Sequence, residues 1–495
     1  MVTTRTADFQ PKDLEESFNA YKTMISDALQ SGTSADDFER KNFAAMLEMA
    51  RVGFGCFVAQ QKVECPETVQ MMDGRPLKRF EKPSPRLLIT VFGRFEISRA
   101  VYGERERQKA EYIPLDHQLQ LPESSFSHLV QEWVQRLGAE HAYAEAASML
   151  HTMLGLKLSV DSIESICRQA TECIEAFQAK QPAAAPDKEA EILVATADHK
   201  GVPITGAKEG PVSAHRGKGQ KPKKQMAAIG CVYSVNPHWR TAAELTEILF
   251  REQRPAKNPP SACQRRFWAD LSHDLAGIAI CAEEDVLAHM RRDVDARRRP
   301  GQTLVYLTDG QRSLRTNGKA ALPADAIEVL DLMHVAPRLW EAAHVFHDEG
   351  SVQALLFVRD RMLRVLEGKA SGVVAGLRQM ATVHRLRGNA KKRLTVAVNF
   401  LAANLDRMRY DEYLAGGYPI ATGVIEGACR HVIKDRMERT GMRWKEAGAR
   451  AMLKLRTVKA NDSWTEYHEF RIAREKQRLY SNSPLAGNTP ETLAA

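Results

Sequence analysis

Leu193-Val-Ala-Thr-Ala-Asp-His-Lys-Gly201 and Leu304-Val-Tyr-Leu-Thr-Asp-Gly-Gln311 are two apolar runs, each stopping at an aspartate with a glycine close behind. Short continuous apolar runs of this kind predict strands buried on both faces. An acid at the C-terminal end of such a strand stands at the sheet edge, where loops converge and ligands bind. Gly201 and Gly310 permit tight turns that leave Asp198 and Asp309 uncovered.

Outward from these runs the order of elements is informative. Strand Ile192–Ala197 is followed by Met226–Val235 and a weaker Leu245–Phe250, then a long amphipathic helix over Leu271–Arg298. Strand Thr303–Thr308, a short helix and strand Ile327–Met333 complete the series. Three strands, helix, strand, helix, strand is the succession of an RNase H-like α/β fold, and it is compatible with other α/β sheets. On this order residues 188–337 are the first part of an α/β core, 338–415 a helical insertion without strands, and 416–480 the core's C-terminal helices. Residues 481–495 read as a mobile tail.

The N-terminal side is mainly helical. Residues 14–61 carry apolar positions at helical spacing, and Leu87–Phe92 and Phe95–Arg99 around Gly93-Arg94 predict a β-hairpin within region 1–120. In region 121–180, Tyr143–Met153, a Gly-bearing turn and Val160–Arg168 behind Ser159 give a helix-turn-helix outline. Such a unit either reads a major groove or is an ordinary helical hairpin. Gln181-Pro-Ala-Ala-Ala-Pro-Asp187 reads as a linker.

A third acid, Glu426, lies in Gly423-Val-Ile-Glu-Gly-Ala-Cys-Arg-His-Val-Ile-Lys434, a helix starting near Thr422. A charged Glu among apolar positions costs free energy unless something neutralises it. Phosphodiester attack by water or a 3′-hydroxyl needs an acidified nucleophile and a stabilised leaving oxygen, which two Mg²⁺ ions about 4 Å apart supply. Mg²⁺ is hard and prefers carboxylate oxygen. The bland alternative makes the aspartates turn formers and pairs Glu426 with Arg430 one turn on.

The strings Thr196-Ala-Asp-His-Lys-Gly-Val-Pro203, Tyr306-Leu-Thr-Asp-Gly-Gln311 and Gly423-Val-Ile-Glu-Gly-Ala-Cys-Arg430 resemble the acid motifs of the ISKra group of bacterial insertion-sequence transposases. So do Ile433-Lys-Asp-Arg-Met-Glu-Arg-Thr-Gly-Met-Arg-Trp-Lys445 and Ala449-Arg-Ala-Met-Leu-Lys-Leu-Arg456, and the resemblance covers most of 190–465. It implies an RNase H-like domain with an Asp-Asp-Glu triad at Asp198, Asp309 and Glu426, holding two Mg²⁺ ions for which Mn²⁺ substitutes. It also implies strand cleavage and transfer on double-stranded DNA, at the element's terminal inverted repeats and in target DNA. Asp331-Leu-Met-His334 resembles an Asp-x-x-His motif that several cut-and-paste groups carry before their insertion. Asp331 could orient His334 toward phosphate or a proton, or the two could form a structural hydrogen bond. The cysteine-rich zinc motif that some related transposases carry is absent here.

Charge supports a polyanionic partner. The chain carries +8 net charge, and Gly427–Ala460 holds ten Lys/Arg against three acids. Candidate DNA contacts are Arg430, Lys434, Arg436, Arg439, Arg443, Trp444 and Lys445, with Trp444 either stacking on an unpaired base or packing in the core. Lys208–Lys224 and Arg385–Arg393 are two further basic clusters. The eight scattered cysteines include no Cys-x-x-Cys pair and read as reduced thiols, and neither a membrane-length apolar run nor a secretion signal is evident. A cytoplasmic bacterial protein without membrane contact is expected. Concerted joining of two DNA ends predicts at least a dimer on DNA. The competing readings are a domesticated endonuclease with the same triad and an inactive DNA-binding repressor.

Overall fold

The computed structural model describes residues 3–106, 109–184, 186–205, 224–255, 258–439 and 441–482. Most of the Lys208–Lys224 cluster and of the tail lies outside these residues. The chain divides into two compact units, one of Met1–Phe177 with Trp464–Ala495 and the other of Gln178–Ser463.

The second unit is mixed α/β. Its sheet contains β1 (Ile192–Pro203), β2 (Lys224–Val235), β3 (Cys263–Leu271), β4 (Thr303–Thr308) and β5 (Ile327–Leu330), in the spatial order β5-β4-β1-β2-β3. β1 runs antiparallel to β2, and β2 antiparallel to β3, whereas β1, β4 and β5 pair in parallel. Only β2 is therefore reversed. Helices α1 (Ala282–Arg297) and α2 (Arg312–Ala321) close one face over a core of Leu193, Ala195, Val232, Trp268, Val286, Met290, Leu304 and Tyr306. A buried network fixes the C-terminal end of α1. Arg297 spans Glu189 (2.6 Å) and Asp293 (2.8 Å), and Asp293 also accepts from Arg266.

Two element assignments need correction. Leu245–Phe250 is not a strand: Ala242–Leu249 is a helix, because Thr241 and Glu244 form a capping box that satisfies its first N–H groups. The third strand is β3, whose opening Cys263-Gln-Arg-Arg266 hides it from an apolar pattern. The helix expected over Leu271–Arg298 begins only at Ala282. Leu271 ends β3, and His273–Leu275 with Ile278–Ile280 make a small hairpin through Ala276 and Gly277, both at positive φ.

After β5 come α3 (Leu332–Phe346), α4 (Val352–Leu366), α5 (Ala370–Val383), α6 (Gly388–Ala403) and a short helix, Tyr410–Ala415. α7 (Gly423–Ala428) continues as a π-helix through Cys429–Lys434, and α8 (Glu446–Ala460) packs against β3. The assignment of 416–480 to one core changes, because Trp464–Tyr480 belongs to the first unit.

In that first unit, helices Pro11–Ser31 and Ala35–Ala59 pack together beside a sheet ordered Thr3–Arg5, Gly93–Arg99, Ser84–Thr90. Ala35–Ala59 is long and apolar enough to cross a membrane by composition alone, yet Val52, Gly55, Cys56 and Val58 are buried within the unit. Tyr143–Leu154 and Val160–Gln169 are two helices joined through Gly155 at φ +65°, and Ser159 caps the second. Ile163, Ile166 and Cys167 turn inward, which leaves Asp161 and Arg168 on the outer side.

Candidate active site

The sheet register brings three acids into one row. Ala197 of β1 pairs with Thr308 of β4, which pairs with Leu330 of β5. The next residues along these parallel strands are Asp198, Asp309 and Asp331. Asp198 is not at a strand end, as the apolar run suggested. β1 continues to Pro203, paired only with β2, so the acid stands where β4 leaves off.

Each row member is held locally. Asp309 Oδ1 accepts from the Gln311 N–H at 2.8 Å, an Asx turn that ends β4. Gly310 is required at this turn: a Cβ there would lie 2.0 Å from the Phe400 ring of α6. Asp198 Oδ1 accepts from the His199 N–H (2.6 Å), and its Oδ2 accepts from the Cys429 thiol at 3.2 Å. Buried Arg407 donates to Thr308 Oγ1, one residue before Asp309.

Asp331 has a different task from the one expected of a catalytic acid. Its side chain is fully buried, caps α3 by accepting from the Met333 N–H (2.8 Å), and accepts from the Thr422 hydroxyl. With no exposed surface it cannot touch a substrate, so it is a positioning residue. His334 Nδ1 lies 3.4 Å from Asp331 Oδ2, an ion-pair distance without hydrogen-bond alignment. Asp331 raises the His334 pKa against the opposing effect of burial, and Asp309 and Asp198 add to the rise.

Glu426 sits one turn into the helix that Thr422 begins, its N–H bonded to the Thr422 carbonyl at 3.0 Å. Partial loss of water pushes its carboxyl above the ordinary glutamate range, Asp331 and Asp198 push it further, and His334 opposes them. Burial likewise raises Asp309, helped by Asp198 and resisted by the Gln311 N–H, His334 and His199. These mutual effects mean that Asp198, Asp309, Glu426 and His334 share one region of space. No ion pair joins Glu426 to Arg430 among the described residues; Arg430 lies 3.7 Å from Asp435.

The donor set is carboxylate oxygen carrying excess negative charge, which suits a hard divalent cation. Among the described residues, no group of three or more His, Cys, Asp or Glu side chains is already drawn to ligand spacing. Asp198, Asp309 and Glu426 are the residues that could hold such an ion.

The basic segment after Glu426 divides into surface and interior. Arg430, Lys434, Arg439, Arg443 and Lys445 are exposed. Arg436 is not a DNA contact: it is 1% exposed, lies 4.8 Å from the Trp444 ring and meets Met442 Sδ at 2.9 Å. Trp444 is buried too, and its indole donates to the Met437 carbonyl (3.1 Å). Its backbone pairs with Pro203 and Thr205, locking the segment to the end of β1. It cannot stack on a base. Arg450 and Lys454 are occupied by Asp270 of β3, and Arg456 binds the carbonyls of His431 and Val432.

Sequence reading missed His199. Alternation along β1 turns it away from its neighbour Asp198, and it contacts Glu283 (3.1 Å) and Gln311 (3.1 Å). Glu283 is further held by Asn317 of α2. The Cys429 thiol and the Thr422 hydroxyl were missed as well. Both lie in or beside the Glu426 motif, but nothing in its spacing says which strand they will meet.

No protein-family model matches the chain, and no curated protein matches it. Among solved structures, the Drosophila P element transposase strand transfer complex is similar over 74% of this chain and 87% of that one, with 10% identity and a TM-score of 0.24. A likeness at that level bears on neither fold nor function.

Proposed function

We propose that this chain is a DNA transposase of bacterial insertion-sequence type, resembling the ISKra group, with an RNase H-like core in its second unit. The sheet order with β2 alone reversed supports the RNase H-like reading. The observation that carries the function is the acid row: Asp198 and Asp309 lie side by side on parallel strands, and Glu426 and Asp309 are both pushed toward protonation within that acidic cluster. Burial is the main cause of both shifts and neighbouring acids add to it, an environment whose cost a bound divalent cation offsets.

In this reading Asp198, Asp309 and Glu426 hold two Mg²⁺ ions, or Mn²⁺ in their place. These supply an acidified nucleophile and charge stabilisation at the leaving oxygen. Asp331 and Thr422 set the start of the Glu426 helix. His334, with Nδ1 toward Asp331, offers its Nε2–H to a phosphate oxygen or gives that proton to the departing 3′-oxygen. Exposed Arg430, Lys434, Arg439, Arg443 and Lys445 neutralise phosphates of double-stranded DNA at element ends and target, and two ends joined together call for at least a dimer.

The test incubates the protein with duplexes carrying the flanking element ends, in Mg²⁺ or EDTA, beside an Asp309→Ala variant. Metal-dependent joining of 3′-hydroxyl ends, lost in the variant, supports the transposase. Cleavage without joining points to an endonuclease, and binding without cleavage overturns both enzyme readings.

A further inference from the structure

Residues 368–405 contain no Asp or Glu, yet they carry seven Lys/Arg: Lys369, Arg378, Arg385, Arg387, Lys391, Lys392 and Arg393. Lys369 pairs with Glu367 at 2.8 Å. The other six are exposed, and none shows an ion pair with a carboxylate among the described residues. Five of the six gather between the end of α5 and the first turns of α6.

This placement is electrostatically unfavourable for the protein alone. The N-terminal end of a helix carries partial positive charge, so cations there are repelled and acids favoured. α6 has no acid in its first turn and no side-chain cap, and its N-cap residue is Arg387. Nor are these cations placed to screen an apolar core, since they all reach solvent while Leu394, Ala397, Val398 and Leu401 fill the buried side.

α6 also connects this cluster to the acids. Its Phe400 ring occupies the space over Gly310, next to Asp309, and stacks under Arg338 at 4.8 Å. At 1.5 Å rise per residue, Lys391 lies about 14 Å along the helix from Phe400. That span corresponds to about four base pairs of duplex at 3.4 Å each.

We infer that the α5–α6 tip is a second phosphate-binding surface, which grips the backbone of duplex DNA several base pairs from the point of cleavage. The inference rests on the proposed function for the choice of DNA as the polyanion.

The test measures affinity of the full-length protein for a 30-base-pair duplex, without divalent metal, across a salt series. The variant is Lys391→Gln/Lys392→Gln/Arg393→Gln, with Lys391→Arg/Lys392→Arg as the charge-keeping partner. A control with equal loss of charge is Lys12→Gln/Lys41→Gln/Lys62→Gln, all exposed in the first unit. The expected result for the test variant is a 10- to 100-fold weaker Kd, on the order implied by losing two or three phosphate contacts, with a salt slope shallower by about 2. The arginine pair and the control should stay within about threefold of the parent protein. An unchanged salt slope in the test variant, or an equal loss in the control, overturns the inference. Weakened binding in a protein that never cleaves DNA with Mg²⁺ sinks the transposase reading and leaves this surface standing. A parent protein that binds no duplex sinks both.

Discussion

The hydroxyl of Thr422 donates to the buried carboxylate of Asp331, tying the first turn of the Glu426 helix to the N-terminus of the helix that follows β5. Two elements far apart in sequence are thus registered by one charge-assisted hydrogen bond. The acid that continues the β4–β5 row is used to aim the acid that does not belong to it.

Thr422→Val should lower the joining rate by about 100-fold, because a displacement near 1 Å at a reacting group costs this much. Its duplex Kd should stay unchanged. The lost bond to a buried carboxylate should cost about 1.5–3 kcal/mol of stability, visible in urea unfolding. Thr422→Ser keeps the hydroxyl and should recover most of both. A Kd that rises as the rate falls would show that Thr422 acts on binding instead.

Asp309→Asn should abolish cleavage while stabilising the metal-free protein at neutral pH. The folded-state pKa of Asp309 is raised. Its contribution to stability is therefore complete below the unfolded carboxyl value near pH 4 and is lost as pH rises through the folded value. At pH 7.5 the parent carries the full penalty and the amide carries none, so Tm should rise by about 1–3 °C. At pH 4 the two should melt together. By the same sign, Mg²⁺ should stabilise the parent more at pH 7.5 than at pH 5, and EDTA should remove the difference.

Gly310→Ala places a methyl group into the Phe400 ring. Overpacking of this kind costs about 1–3 kcal/mol, and here the strain falls on the turn that presents Asp309. Activity should drop further than stability does. Gly310→Ala combined with Phe400→Leu should recover part of both losses, and thermal melts beside single-turnover cleavage would read the coupling. Losses that simply add would mean the two residues do not press on one another.

Arg436→Gln and Arg443→Gln should separate cleanly. The first removes a buried cation from the Trp444 ring and should lower Tm by several degrees. The second removes an exposed cation and should leave Tm unchanged while making the salt slope of duplex binding shallower by about 1. A stable Arg436→Gln protein with weakened DNA binding would reverse the two assignments.

The parts of the fold that sequence made legible are those whose physics is local. Leu193–Ala197 and Leu304–Thr308 are apolar apart from one threonine each, so they read as buried strands. β3 did not, because Arg266 in its first half is compensated by Asp293, a partner from another element. The acids could be seen individually, but the shared row of Asp198, Asp309 and Asp331 depends on long-range register that no single run contains. Depth was hidden in the same way. Arg436 and Arg443 look alike in a basic run, and only the fold, which buries Arg436 against the Trp444 ring, separates the two. His199 showed no partner in sequence because Glu283 and Gln311 lie on other elements.

The acid row also determines which changes of chain length the second unit can tolerate. Side chains alternate faces along a strand, so deleting one residue from β4 ahead of Asp309 would send that carboxylate to the α1 side of the sheet, away from Asp198. The connection from β5 to α7 carries no such parity, because the Thr422–Asp331 bond resets the geometry after the helices between them. Distant relatives aligned by the spacing of their acids should therefore keep the strand segments before Asp198 and Asp309 free of insertions and deletions. The stretch between His334 and Thr422 can change in length by whole helices as long as Phe400 and Arg407 keep their places beside Asp309 and Thr308.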